Sequence, residues 1–411
     1  MNLMRLSLRN ARRHPRRMLL TGLAIGIAVA AVTFMDAYVK GFTESILETF
    51  VQLEAGHIKV VPLEAADRSR PLPLEKGIRR LSELLSIAES TPGITDVSPR
   101  IRFPVLLDRG SSSIPAFGMA LSPSREKRLM KIDELVTEGS IPSDSTWEVA
   151  LGFKLAEKLG IGIGDELFMV TTDSYGGLGP GLYSVTGLMR TGVGYIDKKT
   201  FYVPLLAGQE QLYMDDMAME VVCRIEDGLD GAQPVAERLN DDLKKAGRSD
   251  VVALPWQEQG NLYRMMAPAK IVGPVIMLLL GLIALTTVVN TILMSVMERT
   301  REIGALRALG FERGTVVKLL LGESLVIGIA GTFFGLVLGL AVSLLLQHTG
   351  IDFSGAMENI EWPIKPILYP DPCVMTAVKA AIFGLLMSLV AAWYPARVAV
   401  RLKPADALRA D

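Results

Sequence analysis

Residues that build metal centres and covalent frameworks are scarce in this sequence. Two cysteines, Cys223 and Cys373, and three histidines occur in 411 residues, and neither set has the spacing of a redox or ligand motif. This scarcity excludes a disulfide framework and a structural zinc site. Patterns of the HExxH and GxSxG type are also absent, so we expect no catalytic centre and no metal site in this chain.

A phosphate-binding loop is missing as well. The dipeptide Gly-Lys, which a loop of the GxxxxGK[ST] type requires, does not occur, so the chain does not bind ATP in that way. The formal net charge is −1 at pH 7, and this balance gives no reason to expect nucleic-acid binding. If the protein uses the energy of ATP, another subunit must supply it.

Apolar residues, in contrast, are abundant and raise the mean hydropathy to +0.34. They gather in four runs with hardly any charge, at residues 18–35, 271–297, 319–346 and 373–394. A helix rises about 1.5 Å per residue, so about 20 residues cross a hydrocarbon core about 30 Å thick. We therefore predict four transmembrane helices. The fourth contains Lys379, whose amino group would have to reach the nearer surface.

The first apolar run has an alternative interpretation. An Arg-rich start, an apolar core and the sequence Ala-Val-Ala at residues 28–30 are also features of a cleavable signal peptide. We favour a retained helix, because the run stays apolar beyond the cleavage site and its removal would leave an odd number of helices.

Basic residues indicate on which side of the membrane each connection lies. Residues 1–17 contain six arginines and no acidic residue, and the 298–318 connection and the C-terminal tail are also rich in Lys and Arg. The positive-inside rule places these three segments in the cytoplasm and residues 41–265, which are net negative, outside. We thus expect a multi-pass protein with both termini cytoplasmic.

The fold class that follows is a membrane protein of four transmembrane α-helices with a large α+β extracytoplasmic domain between helices 1 and 2. Its predicted segments are a basic elbow helix (1–17), transmembrane helix 1 (18–40), the external domain (41–265), transmembrane helix 2 (266–297), a cytoplasmic helix (298–314), transmembrane helix 3 (315–346), a short external loop (347–372), transmembrane helix 4 (373–396) and a cytoplasmic tail (397–411).

Apolar periodicity also predicts elements of the external domain. Helices are expected at about 76–90, 152–159 and 233–246. Strand-like runs occur at 57–62, 97–107, 165–172, 182–189, 200–205 and 218–225. The helical pattern continues past the first span and resumes at Trp256 before the second, so a helix is expected to join the domain to the membrane at each end.

Small residues recur every four positions in two of the spans. These stripes are Gly22, Gly26 and Ala30 in the first span and Gly331, Gly335 and Gly339 in the third. Such a stripe allows another helix backbone to approach closely. The spacing is equally compatible with packing inside the four-helix set and with an interface to a second membrane-spanning chain.

The segment "MERTREIGALRALGFERG" at residues 297–314 predicts a short amphipathic helix between two spans. Ile303, Leu306 and Leu309 follow one another at three-residue intervals, charged residues occupy the remaining positions, and Gly310 is a plausible stop. By itself the pattern is compatible with a helix that lies on the lipid surface or one that docks on a partner.

This segment resembles the coupling-helix region of the FtsX-like (MacB/Lol-type) family of ABC transporter permeases, in which E-R-x-x-E-I-G-x-x-R-A-x-G recurs. The basic start "LSLRNARRHPRRMLLTGLAIGIAVA" and the tail "YPARVAVRLKPADALRAD" are also similar to that family. The stretch "GDELFMV…YSVTGLMRTG…FYVPL" is more loosely similar to its periplasmic core domain.

The resemblance implies a bacterial inner-membrane permease without enzymatic activity of its own. A separate ABC ATPase subunit, LolD- or MacB-like, would bind ATP and Mg²⁺, and no cofactor would reside in this chain. A coupling helix would dock on that ATPase through Glu298, Arg299, Arg301, Glu302, Ile303, Gly304, Leu306, Arg307, Leu309 and Gly310. Ile303, Leu306 and Leu309 would supply buried contact and the charges would set the register.

Within the family, about 17 residues before the first span and a large external domain favour a separate permease of the lipoprotein-releasing LolC/LolE type. Its expected function is mechanotransmission, in which ATP hydrolysis drives the external domain to release lipoproteins or other amphiphiles from the membrane. Two alternatives are efflux of the MacB type with a periplasmic adaptor and FtsX-like signalling to a cell-wall hydrolase. The expected partners are the ATPase, a second permease chain, the substrate and membrane lipid.

Overall fold

The computed structural model describes residues 15–66, 72–108, 113–259, 269–353 and 367–400. The predicted elbow helix lies outside the described residues up to residue 14, as do most of the helix expected after Trp256 and the tail from residue 401. The chain divides into a membrane unit (Met1–Glu44, Ala267–Asp352 and Ile367–Asp411) and an external unit (Ser45–Met266 and Phe353–Pro366).

Eleven α-helices and twelve strands lie in the described part of the chain. The helices are α1 (Pro15–Phe50), α2 (Leu81–Ser90), α3 (Pro123–Leu129), α4 (Phe153–Leu159), α5 (Gly194–Lys199), α6 (Leu205–Leu212), α7 (Ala232–Lys245), α8 (Ala269–Glu298), α9 (Thr300–Ala308), α10 (Arg313–Thr349) and α11 (Val374–Ala399). The strands are β1 (Ile58–Pro62), β2 (Ile94–Asp108), β3 (Ser113–Leu121), β4 (Val136–Gly139), β5 (Glu148–Gly152), β6 (Glu166–Thr172), β7 (Leu178–Met189), β8 (Thr200–Pro204), β9 (Glu220–Ile225), β10 (Val251–Pro255), β11 (Ile351–Asp352) and β12 (Ile367–Leu368).

Four helices of the described chain are long and apolar enough to cross a membrane, and these are α1, α8, α10 and α11. The predicted count and the position of the external domain between the first two are therefore confirmed. Helix α1 continues well beyond the predicted span, and a π-helical turn, Val51–Ala55, follows it directly. The boundary between the two units thus falls inside one continuous helix.

Small residues bring α1 and α10 together. A Cβ atom placed on Gly335 would lie 2.4 Å from the carbonyl oxygen of Gly26, and one on Gly331 would lie 2.6 Å from that of Gly22. Gly339 packs in the same way against Ala30. Each of the two predicted stripes is therefore covered by the other within one chain. A second permease chain remains a prediction, but it would need other surfaces.

Replacing Gly335 with leucine is expected to separate α1 from α10, because no side chain fits between these backbones. The full chain in detergent should lose most of its folded, monodisperse fraction in size-exclusion chromatography. Gly314→Leu is the matched control, since Gly314 lies on the same helix and a Cβ atom added there would meet nothing within 4 Å. Equal behaviour of the two variants would contradict the packing described above.

Two ion pairs join the second half of α1 to the start of α11 and to the residues just before it. Asp36 accepts from the hydroxyl of Thr376 at 2.7 Å and pairs with the amino group of Lys379 at 3.1 Å. Lys40 pairs with Asp371 at 2.5 Å. Lys379 is therefore paired within the membrane unit, with Asp36 as its countercharge. This pairing was not predicted from the sequence. A paired lysine is far easier to accommodate in a membrane helix than an isolated one.

The external unit is built on one ten-stranded sheet. The strand order is β10-β1-β9-β2-β3-β8-β5-β7-β4, with β6 paired to β2 and β7. Pairing is antiparallel except between β3 and β8 and between β5 and β7. The six predicted strand-like runs coincide with β1, β2, β6, β7, β8 and β9. The three predicted helices correspond to α2, α4 and α7, although α2 begins at Leu81 rather than near residue 76.

The core of this unit lies between the sheet and its helices. Phe103 of β2 and Phe201 of β8 are fully buried, with their ring centroids 6.1 Å apart in an edge-to-face arrangement. Such pairs add to the free energy gained from burying apolar area. Apolar residues at alternate positions of β2 point into this core, which is why its periodicity was visible in the sequence.

Candidate coupling helix

The candidate coupling helix corresponds to α9, and short local signals set both its ends. Arg299, with φ −101° and ψ 16°, interrupts the path from α8, and Thr300 bonds back to the carbonyl of Met297 at 2.6 Å. Gly310 has φ +91°, and Phe311 N–H donates to the carbonyl of Leu306 at 3.2 Å. A glycine in the left-handed region is a common helix stop. Helix α10 begins three residues later.

The inner face of α9 is attached to the ends of the membrane helices. Ile303 is 6% exposed and packs in a cluster with Val296, Val316, Ala399 and Val400. Gly304, beside it, is also buried. The prediction that Ile303 supplies contact to a partner therefore needs correction, because its side chain is already covered within the chain. It anchors the helix instead.

An ion pair provides a second attachment. Nη1 of Arg299 lies 2.8 Å from Oε2 of Glu323 in α10, and Nε lies 2.7 Å from Oε2 of Glu302 in α9. Burial alone would lower the pKa of Arg299, but the two carboxylates outweigh it and raise the pKa. Glu323 was visible in the sequence only as the single charge in the apolar run 319–346; the structure shows that Arg299 is its partner.

The outer face carries the residues that are open to a partner. Leu309 is 78% exposed, whereas Leu306 is half-buried. Glu298, Arg301, Glu302 and Gly310 are exposed as well. An apolar side chain surrounded by charged ones is a suitable centre for a protein contact.

Arg307 has a local role at the end of the helix. Its Nη1 donates to the carbonyl of Phe311 at 3.2 Å, which helps to fix the turn towards α10. The structure thus divides the ten predicted docking residues into two groups. Four anchor the helix within the chain, and these are Arg299, Ile303, Gly304 and Arg307. Six are accessible to a partner, and these are Glu298, Arg301, Glu302, Leu306, Leu309 and Gly310.

In the part of the chain that the structure describes, no group of three His, Cys, Asp or Glu side chains is arranged to hold an ion. The arrangement is a short helix fixed to α8, α10 and α11 on one side, with an exposed leucine on the other.

Comparison with known proteins covers both units. The MacB-like periplasmic core domain matches residues 18–241, and the FtsX-like permease C-terminal family matches residues 274–404. The first match spans more than half of the chain and the second contains α9.

Curated relatives extend over nearly the whole length. The lipoprotein-releasing system transmembrane protein LolC of Xylella fastidiosa is 25% identical over 406 residues, 94% of this chain and 92% of that protein. LolE of Haemophilus influenzae is 24% identical over 409 residues, with the same coverage. The macrolide export protein MacB of Chlorobaculum tepidum is 35% identical, but over only 30% of this chain and 16% of its own.

The resemblance inferred from the coupling-helix motif is therefore confirmed by matches that cover most of the external unit and most of the described membrane helices. The chain belongs to the FtsX-like family of ABC transporter permeases with a MacB-like periplasmic core domain.

Proposed function

We propose that this chain is the permease subunit of an ABC transporter that releases lipoproteins from the bacterial inner membrane. A separate ATPase binds ATP and Mg²⁺ on the cytoplasmic side, where α9 and both termini lie. A second permease chain completes the membrane part. Hydrolysis changes the conformation of the external domain, and no substrate passes through a channel between the helices.

The observation that carries the ATPase-coupled part of this proposal is the geometry of α9. Its inner face is fixed by Ile303 and by the Arg299–Glu323 ion pair, and its outer face exposes Leu309. A helix attached in this way moves together with the ends of the membrane helices when a partner displaces it. A helix that only lay on lipid would not require this largely buried ion pair to α10, because burying charges is costly.

The lipoprotein part is supported by the relatives. Two proteins named for lipoprotein release align with 94% of this chain, including its external domain. This breadth favours lipoproteins over the alternative of macrolide-type efflux, for which the MacB relative aligns with 30% of the chain. Efflux remains the second candidate because identity in that shorter region is higher, at 35%.

The proposal is tested with the tagged full-length chain, purified in mild detergent with every protein that accompanies it. We expect a P-loop ATPase and acylated lipoproteins among the accompanying proteins. The complex is then reconstituted in liposomes with an acylated lipoprotein, and ATP-dependent transfer of lipoprotein to the soluble fraction is measured.

Two controls make this test specific to acylated cargo and to hydrolysis. The same lipoprotein without its acyl chains should not increase ATPase activity, and a non-hydrolysable ATP analogue should give no transfer. Recovery of an ATPase with a periplasmic adaptor, and no transfer of lipoprotein, would favour efflux. Recovery of an ATPase with a cell-wall hydrolase instead would favour signalling.

A further inference from the structure

The first membrane helix ends inside the external unit in an unusual way. After Phe50 its hydrogen bonding widens into the π-helical turn Val51–Ala55, which Gly56 closes by donating to the carbonyl of Val51 at 2.8 Å. The carbonyls of Leu53 and Glu54, at the end of this turn, accept instead from Nη1 of Arg100, at 3.2 and 3.3 Å. Single π turns are frequent at functional positions.

Arg100, on strand β2, is held by a buried carboxylate. Its Nε lies 2.6 Å from Oε1 of Glu126 and its Nη2 lies 2.8 Å from Oε2, and both side chains are fully buried. Nη2 also contacts the sulfur of Met130 at 3.8 Å. Every nitrogen of the guanidinium thus has an acceptor, and the bidentate pair fixes its orientation. An apolar pair of the same volume would often stabilise the folded domain at least as well. Stability alone is therefore a weak reason for the presence of this ion pair.

Further contacts hold the same turn. The side chain of Gln52 donates to the carbonyl of Met130 at 3.3 Å. The carboxylate of Glu54 accepts from the hydroxyl of Tyr195 on α5 and pairs with Arg102 of β2 at 3.6 Å. The end of the membrane helix is therefore attached to the central sheet, to the α3 region and to α5.

We propose that Arg100 and Glu126 form a clamp that transmits displacement of α1 to the sheet of the external domain. This inference rests on the proposed function, because it assigns the place where movement of the membrane helices enters that domain. Arg100 is a positioning residue in this mechanism: it holds the last carbonyls of the helix, and Glu126 holds Arg100. The π turn supplies the two carbonyls that a regular helix continuing onward would bond internally.

The clamp is tested by the distance between nitroxide labels on either side of it. One label is placed on α1 at Glu48→Cys and the other on α3 at Lys127→Cys, since both side chains are exposed. Cys373 is replaced by serine, and Cys223, which is buried, is retained. The full chain is studied in lipid nanodiscs with its ATPase subunit, by pulsed electron paramagnetic resonance without nucleotide and with trapped ATP.

With the clamp intact, we expect one narrow distribution of the distance between the labels at positions 48 and 127. This distance should be the same in both nucleotide states, because the end of the helix and α3 move together. In the variant Arg100→Met/Glu126→Gln, which removes the guanidinium without leaving an unpaired carboxylate, the distribution should broaden by about twofold even without nucleotide. ATP-dependent lipoprotein release should fall while ATPase activity is retained.

The matched control is Arg125→Met/Glu89→Gln, which makes the same changes in a neighbouring ion pair. Arg125 precedes Glu126 on α3 and pairs with Glu89 at 2.5 Å, and this pair does not touch the π turn. It should keep the narrow distance. The clamp is overturned if the Arg100→Met/Glu126→Gln variant keeps the distance of the parent chain, or if the parent distance changes with nucleotide.

Failure of the proposed function gives a different result. In that case no ATPase accompanies the chain, whereas broadening of the 48–127 distance without nucleotide is still measurable in the chain alone and still decides whether the clamp holds the helix end.

Discussion

Replacing Leu309 with aspartate is expected to weaken association of the chain with its ATPase subunit by at least about 30-fold. Leu309 is 78% exposed at the end of α9, so its substitution leaves the packing of the membrane unit unchanged. At the proposed docking surface, however, the aspartate would place an unpaired charge where an apolar contact is expected. Loss of a central interface contact costs about 2 kcal/mol or more, which corresponds to about a 30-fold higher Kd.

The measurement is the amount of ATPase that co-purifies with the tagged variant, together with the ATPase activity of the preparation. The matched control is Leu206→Asp, because Leu206 is an exposed leucine (57%) on α6 of the external unit. That variant should retain its ATPase. If Leu309→Asp also co-purifies with a full complement of ATPase, α9 is not the docking helix and the assignment fails.

The choice of Leu309 rather than Ile303 illustrates what helical spacing could and could not predict. Ile303, Leu306 and Leu309 succeed one another at intervals of three, and the sequence therefore suggested one shared apolar face. A helix with 3.6 residues per turn rotates about 100° per residue, so each interval of three falls about 60° short of a full turn. Ile303 and Leu309 consequently point about 120° apart, one towards the chain and one away from it.

The large features of the fold could be predicted from the sequence. Four apolar runs predicted four spans, and alternation of apolar residues in stretches such as 97–107 predicted the strands of the external domain. Short elements were predicted unevenly, because five to eight residues leave little room for a periodic signal: α4, β1 and β8 were found, whereas strand β5 and helices α3, α5 and α6 were missed. Strand β3 was missed despite nine residues, since proline and glycine interrupt "SIPAFGMAL".

Contacts between residues that lie far apart in the sequence could not be predicted from it. Spacing showed a glycine stripe on each of two helices but not that the stripes face each other, because periodicity describes a surface and not its partner. Arg100 is a similar case. An arginine at a polar position of an alternating strand is usually exposed, and nothing in the sequence connects Arg100 with Glu126, which lies 26 residues further on in a short helix.

Arg100→Met alone is expected to destabilise the external domain strongly, in contrast to the double variant. The single change leaves Glu126 fully buried without its partner, and removing one member of a buried ion pair costs about 3–5 kcal/mol. Adding Glu126→Gln removes the stranded charge, so much of that loss should be recovered. The recovery reports the coupling between the two residues.

The measurement is urea unfolding of the full chain in detergent, followed by brief proteolysis and quantification of the intact external domain. Arg125→Met is the reference for the loss of an accessible ion pair, and it should lower the free energy of unfolding by at most about 1 kcal/mol. If Arg100→Met unfolds at the same urea concentration as Arg125→Met, the result contradicts the full burial of Glu126 in the structure. If the single and double variants are equally unstable, the guanidinium is required mainly for its bonds to the π turn, and the free energy lost measures how firmly the end of α1 is held.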